Sequence, residues 1–544
     1  MRSIVIVVAA SLVGLAGAGA AGAGDGFFVG VSDDHLKYES APASAALHSV
    51  GARAVRLTLR WSRGQTELNG SDRSWLDRGV AAAGGETRVV LSVLGASSAD
   101  TPLDEGGRDQ YCGFVRSALA RYPQVRDVVI WNEVNKSHFW TPQFGGDGSS
   151  AAPAAYEALL ARCWDVLHGF RPDVNVITST SSRGNDNPDA ASNVSHSPGN
   201  FIRGIGAAYR TSGRTTPIFD TVGHHPYGEH SSERPWRSHP LSTTIGEGDW
   251  DKLTQAYHDA FAGSTQPIPG LCVGGRCAFI WYLEVGYQTT PDTAKSGLYT
   301  GAENSELPLP AAVGGDPAGS TPDEKSLAPD QGAQLADAVR LAACQPYVQA
   351  YFNFLLRDES DLALWQSGVF WADWTAKASL DPFRAAIGEA AAGRVDCLHL
   401  KLRPPAGASA ALTPGGALQA LFPAPRTNVS IVRLLWPRAR TFNWRNDQWR
   451  FRVAAGEDAT YRATLYQVAV VRKGRSLSVK RRDLRTAAGK LKMGYLSFVN
   501  FKRGRLPFAA RYRIEVTIAS AAAPSRTTRL VSPPFLVSPR PARR

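Results

Sequence analysis

Val128-Val129-Ile130-Trp131-Asn132-Glu133-Val134-Asn135 runs an apolar, mostly β-branched segment straight into a carboxylate flanked by two amides. A short apolar run rich in Val and Ile reads as a buried strand. A charge at the end of such a strand is costly to bury unless it sits in a solvated mouth with partners. Taken alone, the stretch fits a surface loop equally well, so the neighbouring pattern has to decide.

That pattern is an alternation. Upstream, 27–31, 54–61 and 89–94 read as strands, with helices over 43–50, 74–83 and 109–122 between them. The quoted stretch is the fourth strand. Downstream come a helix over 153–170, a strand at 174–179, a helix over 200–209 and a strand at 219–225. A helix over 252–262, a strand at 278–284, a helix over 330–344, a strand at 350–355 and a last helix over 381–393 complete the series. Eight strands alternating with helices predict a (β/α)8 TIM barrel. The competing open, doubly wound sheet would need a Gly-rich fingerprint after its first strand to hold a dinucleotide, and none is present. The stretch 289–329, rich in Gly, Pro and Ser, reads as a long functional rim loop.

From about Pro404 the period changes. Segments 461–468 and 510–518 alternate polar and apolar residues, as half-buried strands do, with Gly, Pro and Ser turns between. This predicts an all-β sandwich resembling immunoglobulin-like modules. The predicted division is a signal peptide at 1–23, a barrel at 24–398 and a sandwich at 399–544. Met1-Arg2-Ser3, an apolar run over 4–15, and the small-residue sites Ala18-Gly19-Ala20 and Ala21-Gly22-Ala23 form the secretory pattern, with the mature chain starting near Gly24. The run is short for a bilayer span, so an extracellular product without a membrane span is expected.

Six Cys in an exported chain permit three disulfides. Cys272 and Cys277 enclose one short loop. The pairing of the other four is not fixed by sequence; Cys112 with Cys163 and Cys344 with Cys397 would join neighbouring helices. The net charge of +12 hides a split, about +24 from Lys401 onward and about −12 before it. A module so basic attracts anionic polymers, and an anionic cell-surface polymer or glycan is the expected partner rather than nucleic acid. Packing against the acidic barrel is the other use of that charge. Sequence leaves the oligomeric state open.

Active sites of barrels lie at the carboxyl ends of the strands. There the fourth strand offers Asn132 and Glu133, the seventh Glu284, the sixth His224-His225-Pro226-Tyr227, and the second carries Arg56. Two carboxylates across one mouth suit glycosidic cleavage, one giving a proton to the leaving oxygen while the other attacks or activates water. Trp131-Asn132-Glu133-Val134-Asn135 resembles the acid/base motif of glycoside hydrolase clan A, and Trp281-Tyr282-Leu283-Glu284-Val285-Gly286 resembles that clan's nucleophile strand. The resemblance covers roughly 27–395 and is nearest families 5 and 39; Val134 stands where the clan usually has Pro.

The resemblance implies a retaining glycosidase acting on a carbohydrate, with no cofactor. Glu133 would be the acid and then the base, with a raised pKa, and Glu284 the nucleophile. Asn132 would bond the sugar 2-hydroxyl, Tyr227 would donate to Glu284, His225 would line the mouth, and Arg56 would keep the nucleophile ionised. Trp140 and Trp365, and less so Trp61, are candidates to stack on sugar rings. Arg60 and Glu359 read as rim residues. The cluster of His224, His225, Glu229 and His230 lacks the helical spacing of a zinc site, so no metal is expected. A transglycosylase would share every catalytic residue. An inactive carbohydrate-binding barrel would have no need of a facing carboxylate pair.

Overall fold

In the computed structural model, the described residues are 26–240, 242–304, 308, 330–397, 428–429, 431–436, 450–473, 476–493, 495–501, 511–521 and 523–536. The expected signal peptide, most of the rim loop beyond 304 and the expected 398/399 boundary lie outside them.

Parallel strands close into a barrel of eight positions. They are β1 (Phe28–Ser32), β2 (Ala54–Trp61), β3 (Arg88–Gly95), β4 (Asp127–Ile130), β5 (Asn175–Ile177), β6 (Thr180–Ser181), β7 (Thr221–His225), β8 (Phe279–Val285) and β9 (Val348–Phe354). Segments β5 and β6 are two pieces of one position, and both pair with β7, which closes the ring. The expected fifth strand is therefore broken at Thr178-Ser179. The break lets the Thr178 carbonyl press on β7, where a Cβ on Gly223 would lie 1.9 Å from that oxygen. Glycine is the residue that permits so close a backbone approach. Glu284 accordingly lies on β8, the seventh barrel position.

Side chains on β2 show how alternation builds two layers. Val55, Leu57 and Leu59 face the helices and join the main core, while Ala54 joins the barrel interior with Val90, Val129, Ile177, Trp281, Leu283, Ala350 and Phe352. The interior is filled by small residues beside large ones, with Phe28 edge-on to Trp281 at 5.2 Å between ring centroids. Period 2 places Arg56, Thr58 and Arg60 on the same side as Ala54. They climb from the barrel floor to its mouth, where all three line one cleft.

The surrounding helices are α1 (His35–Tyr38), α2 (Ser40–Val50), α3 (Gly70–Ala83), α4 (Glu105–Arg121), α5 (Ala152–Phe170), α6 (Pro198–Thr211), α7 (Trp250–Phe261), α8 (Gln331–Cys344) and α9 (Leu380–Ala391). Side-chain caps start several: Asn69 and Asp72 form a reciprocal capping box on α3, and Asp104 and Asp330 cap α4 and α8. Disulfides Cys112–Cys163, Cys272–Cys277 and Cys344–Cys397 are formed, the first tying α4 to α5. Among the described residues, no helix is long and apolar enough to cross a membrane.

The C-terminal region is all-β and antiparallel. One sheet is β10 (Ile431–Leu435), β11 (Arg450–Ala455) and β14 (Ser497–Asn500); the other is β13 (Ser476–Leu491), β12 (Ala459–Lys473), β15 (Arg511–Ser520) and β16 (Thr527–Val531), with β17 (Phe535–Leu536) on β15. Phe451, Val453 and Val499 from the first share one core with Leu465, Ile514, Val516 and Ile518 from the second, so the sheets pack face to face. Arg526 anchors the module to the barrel, donating to Asp259 of α7 at 3.0 Å and to Glu457 at 2.8 Å and 2.5 Å.

Candidate active site

Both catalytic candidates sit where the backbone departs from regular strand. Past β4, Trp131 and Glu133 have φ of +70° and +37°, a region bulky residues avoid unless the surroundings impose it. The indole of Trp131 supplies that imposition. It is fully buried among Trp61, Tyr111 and Trp140, its Nε1 donates to the Phe139 carbonyl at 2.8 Å, and a Cβ on Gly95 would sit 2.7 Å from its ring. The chain then turns back, and the Glu133 N–H donates to Ser179 Oγ at 3.1 Å. The Val134 N–H donates to the Ser179 carbonyl at 3.4 Å, a bond that Pro at this position could not make. Asn135 locks the turn from beneath, donating to Ser181 Oγ, the Arg183 carbonyl and the His196 carbonyl.

On β8 the device is a bulge. Tyr282 pairs with Tyr351 and Val285 with Asn353, so three steps on β8 oppose two on β9. Trp281 and Leu283 face the barrel interior, whereas Val285 belongs to the outer core. The extra residue thus reverses the alternation and turns Glu284 inward instead of toward the helices. Ser32 of β1 secures the bulge, its Oγ donating to the Leu283 carbonyl at 2.7 Å.

The two carboxylates meet around His225, whose Nδ1 lies 3.1 Å from Glu133 Oε1 and 3.3 Å from Glu284 Oε2. One oxygen of each carboxylate and a ring nitrogen of His225 all lie within 4.8 Å of one another. Arg56, buried on β2, donates to Glu284 Oε1 at 2.6 Å, to Asn132 Oδ1 at 2.9 Å and to Ser92 Oγ at 2.9 Å. Because Asn132 accepts through its oxygen, its amide NH2 is the end left to donate into the cleft. The phenol of Tyr227 donates to Glu284 Oε2 at 3.3 Å, and burial with the nearby carboxylates pushes its pKa well above the usual value. The cleft encloses about 590 Å³, room for a sugar-sized ligand.

Trp365 lines that cleft beside Tyr227 and Phe354, with ring centroids 5.1 Å and 5.4 Å away. Trp140 differs from expectation. Its side chain is fully buried against Trp131 and Tyr156, so it braces the loop that carries Glu133 and offers no face to a sugar. Trp61 is buried in the same cluster. His224 also lies inside, with both ring nitrogens bonded, to Thr180 Oγ1 and the Ile245 carbonyl. Glu133, His225 and Glu284 are close enough together to span a cation, yet Arg56 and Lys136 already neutralise the two carboxylates.

Lys136 is the residue the sequence reading missed. Its Nζ lies 2.8 Å from Glu133 Oε2. Burial tends to raise the pKa of Glu133, but the Lys136 charge and the His225 hydrogen bond outweigh it and hold the carboxyl well below the usual range. The expectation of a raised value is therefore not met. Spacing of three residues along a turn was the only available signal, and without the turn's geometry it could not be read.

No family model matches the sequence, and no curated protein matches it. Solved structures do resemble it. A family 39 glycoside hydrolase from the gut symbiont Bacteroides cellulosilyticus WH2 is 12% identical, over 87% of this chain and 80% of that one, with a TM-score of 0.42. GH5_18 from Streptomyces cattleya in complex with GlcNAc is 13% identical, over 72% and 86%, with a TM-score of 0.42. The exo-beta-1,4-mannosidase Op5Man5 from Opitutaceae bacterium strain TAV5 is 13% identical, over 68% and 60%, with a TM-score of 0.41.

Proposed function

We propose that this chain is an exported glycoside hydrolase that cleaves O-glycosidic bonds of a polysaccharide or glycoside with retention of configuration. The observation that carries the reading is the facing pair Glu133 and Glu284, bridged by His225 at the carboxyl ends of β4 and β8. Glu284, ion-paired with Arg56, attacks the anomeric carbon as the glycosidic bond breaks, and Glu133 gives its proton to the departing oxygen. Glu133 then takes a proton from the water that displaces the glycosyl group from Glu284. One oxygen of each carboxylate lies within 4.8 Å of the other, closer to the short separation of retaining enzymes than to the wider gap that inversion needs for a water. Three disulfides fit an oxidising compartment.

The test is a panel of aryl glycosides and polysaccharides against wild type, Glu133→Ala and Glu284→Ala. Both variants should lose turnover of any accepted substrate, azide should rescue them with opposite product anomers, and proton NMR should show the retained anomer first. Undiminished turnover in either variant would refute the assignment. A transglycosylase would be revealed by product growth on added acceptor sugar. For the basic module, where Arg482, Lys490 and Lys492 are exposed, we propose electrostatic attachment to an anionic surface polymer. Retention of the full chain on a polyanion resin should fall steeply with salt.

A further inference from the structure

The catalytic cleft is electrically divided. On the Glu284 side it is walled by the aromatic rings of Tyr227, Phe354 and Trp365. On the Glu133 side it is lined by three cations from separate elements: Arg60 at the end of β2, Lys136 after β4 and Arg183 after β6. Arg60 is exposed, its guanidinium reaches the Gly95 carbonyl at 3.4 Å, and among the described residues no carboxylate pairs with it. The acidic groups of the cleft are otherwise engaged: Asp33 by His35 and the Leu356 N–H, Asp34 by Lys37 and the Thr58 N–H, and Glu359 by the Trp365 N–H.

The position of Lys136 poses a mechanical problem. An acid must carry a proton, yet Glu133 is clasped as an anion by an ammonium at 2.8 Å. The other titratable groups facing it are His225 from β7, Glu284 from β8 and Tyr227 beyond them. Of these partners only Lys136 has a long, flexible stem with its head near solvent, its side chain being 24% exposed. A neutral leaving group gives that head no reason to move; an anionic one supplies a competing partner.

Resting on the hydrolase reading, we propose that Lys136 determines specificity on the leaving-group side: it binds an anionic substituent, a carboxylate or a sulfate, on the departing sugar, and is drawn off Glu133 when that substrate binds. Glu133, left beside the Glu284 charge, takes a proton from solvent and passes it to the glycosidic oxygen. When the anionic product leaves, Lys136 returns to the now ionised Glu133 and favours the base form that the second half-reaction needs. The proton gained from the attacking water is then released to solvent. Arg60 adds to the attraction without touching the acid.

The test uses the full chain and matched aryl glycosides of a sugar it turns over, with 4-carboxyphenyl, 4-sulfophenyl and neutral 4-carbamoylphenyl leaving groups. Wild type should prefer an anionic leaving group by about tenfold or more in kcat/KM. Lys136→Met should bring the ratio to within about twofold, and Lys136→Arg should keep most of it. Whichever anionic arm is favoured identifies the substituent. A carboxyl-carbon NMR titration of Glu133, assigned by its loss in Glu133→Gln, should move to higher pH in Lys136→Met, a change that a merely structural lysine would not cause. Turnover with a wild-type ratio near one, a ratio preserved in Lys136→Met, or an unmoved titration would overturn this inference alone. Absence of Glu284-dependent turnover of any glycoside would overturn the hydrolase reading and this inference with it.

Discussion

Replacing Arg56 by Met isolates the central electrostatic contact of the site. Arg56 is 5% exposed, and its guanidinium holds Glu284 at 2.6 Å, while also bonding Asn132, Ser92 and, at 3.3 Å, Ser32. Methionine keeps most of the volume and removes every donor. Stripping one partner from a buried ion pair costs about 3–5 kcal/mol, since the remaining charge is left uncompensated. Here Glu284 keeps the Tyr227 phenol and contact with His225, so the lower end applies, about 3 kcal/mol of folding stability. If the same contact steadies the attacking carboxylate, the barrier rises comparably, a loss of about a hundredfold in kcat/KM. Urea unfolding gives the first quantity and aryl glycoside kinetics the second. Losses below about 1 kcal/mol and tenfold would show that Arg56 does not hold Glu284 and would refute the reasoning.

Four other outcomes are expected. His239 sits between Asp249 and Glu233, at 2.6 Å and 2.9 Å, and although burial lowers its pKa these carboxylates raise it above 6.5. A raised value means its stabilisation is full below the unfolded pKa and is lost as pH rises through the folded one, so the urea midpoint gap between wild type and His239→Gln should be widest below pH 6.5 and shrink as pH rises above it. The Cys112→Ala/Cys163→Ala pair opens a loop of separation 51 and should cost about 4 kcal/mol on chain-entropy grounds, read as a lower unfolding midpoint that reductant no longer shifts at this site. Arg526→Met should cost about 2 kcal/mol, less than a full buried-pair loss because Asp259 retains Arg203 at 3.0 Å; an unchanged midpoint would count against the anchor. Tyr227→Phe removes one long bond to Glu284 and should slow turnover by about fivefold to tenfold, with little effect on stability.

The strand alternation was legible because each element carries its own signal. Runs such as Val128 to Ile130 need only local hydrophobicity, and the order of those runs implied a barrel with both glutamates at its mouth. Arg56 was reachable by the same logic, since period 2 from Ala54 points it inward. Trp140 was not. Proximity to a strand end gave it the look of a sugar platform, but its ring completes the cluster that forces Trp131 into positive φ. Nothing local distinguishes a Trp that faces a cleft from one that braces the loop behind it.

Periodicity and position along the chain are enough for the element order, the barrel and the placing of Glu133 and Glu284 at its carboxyl-end mouth. The tertiary structure decided which way each carboxylate points and what charge stands beside it. Simple alternation would have sent Glu284 toward the helices; one extra residue opposite β9 turns it into the cleft. A turn of two positive-φ residues brings Lys136 onto Glu133. Both are consequences of register and backbone strain, which arise only when distant strands pair, and no window of neighbouring residues contains them.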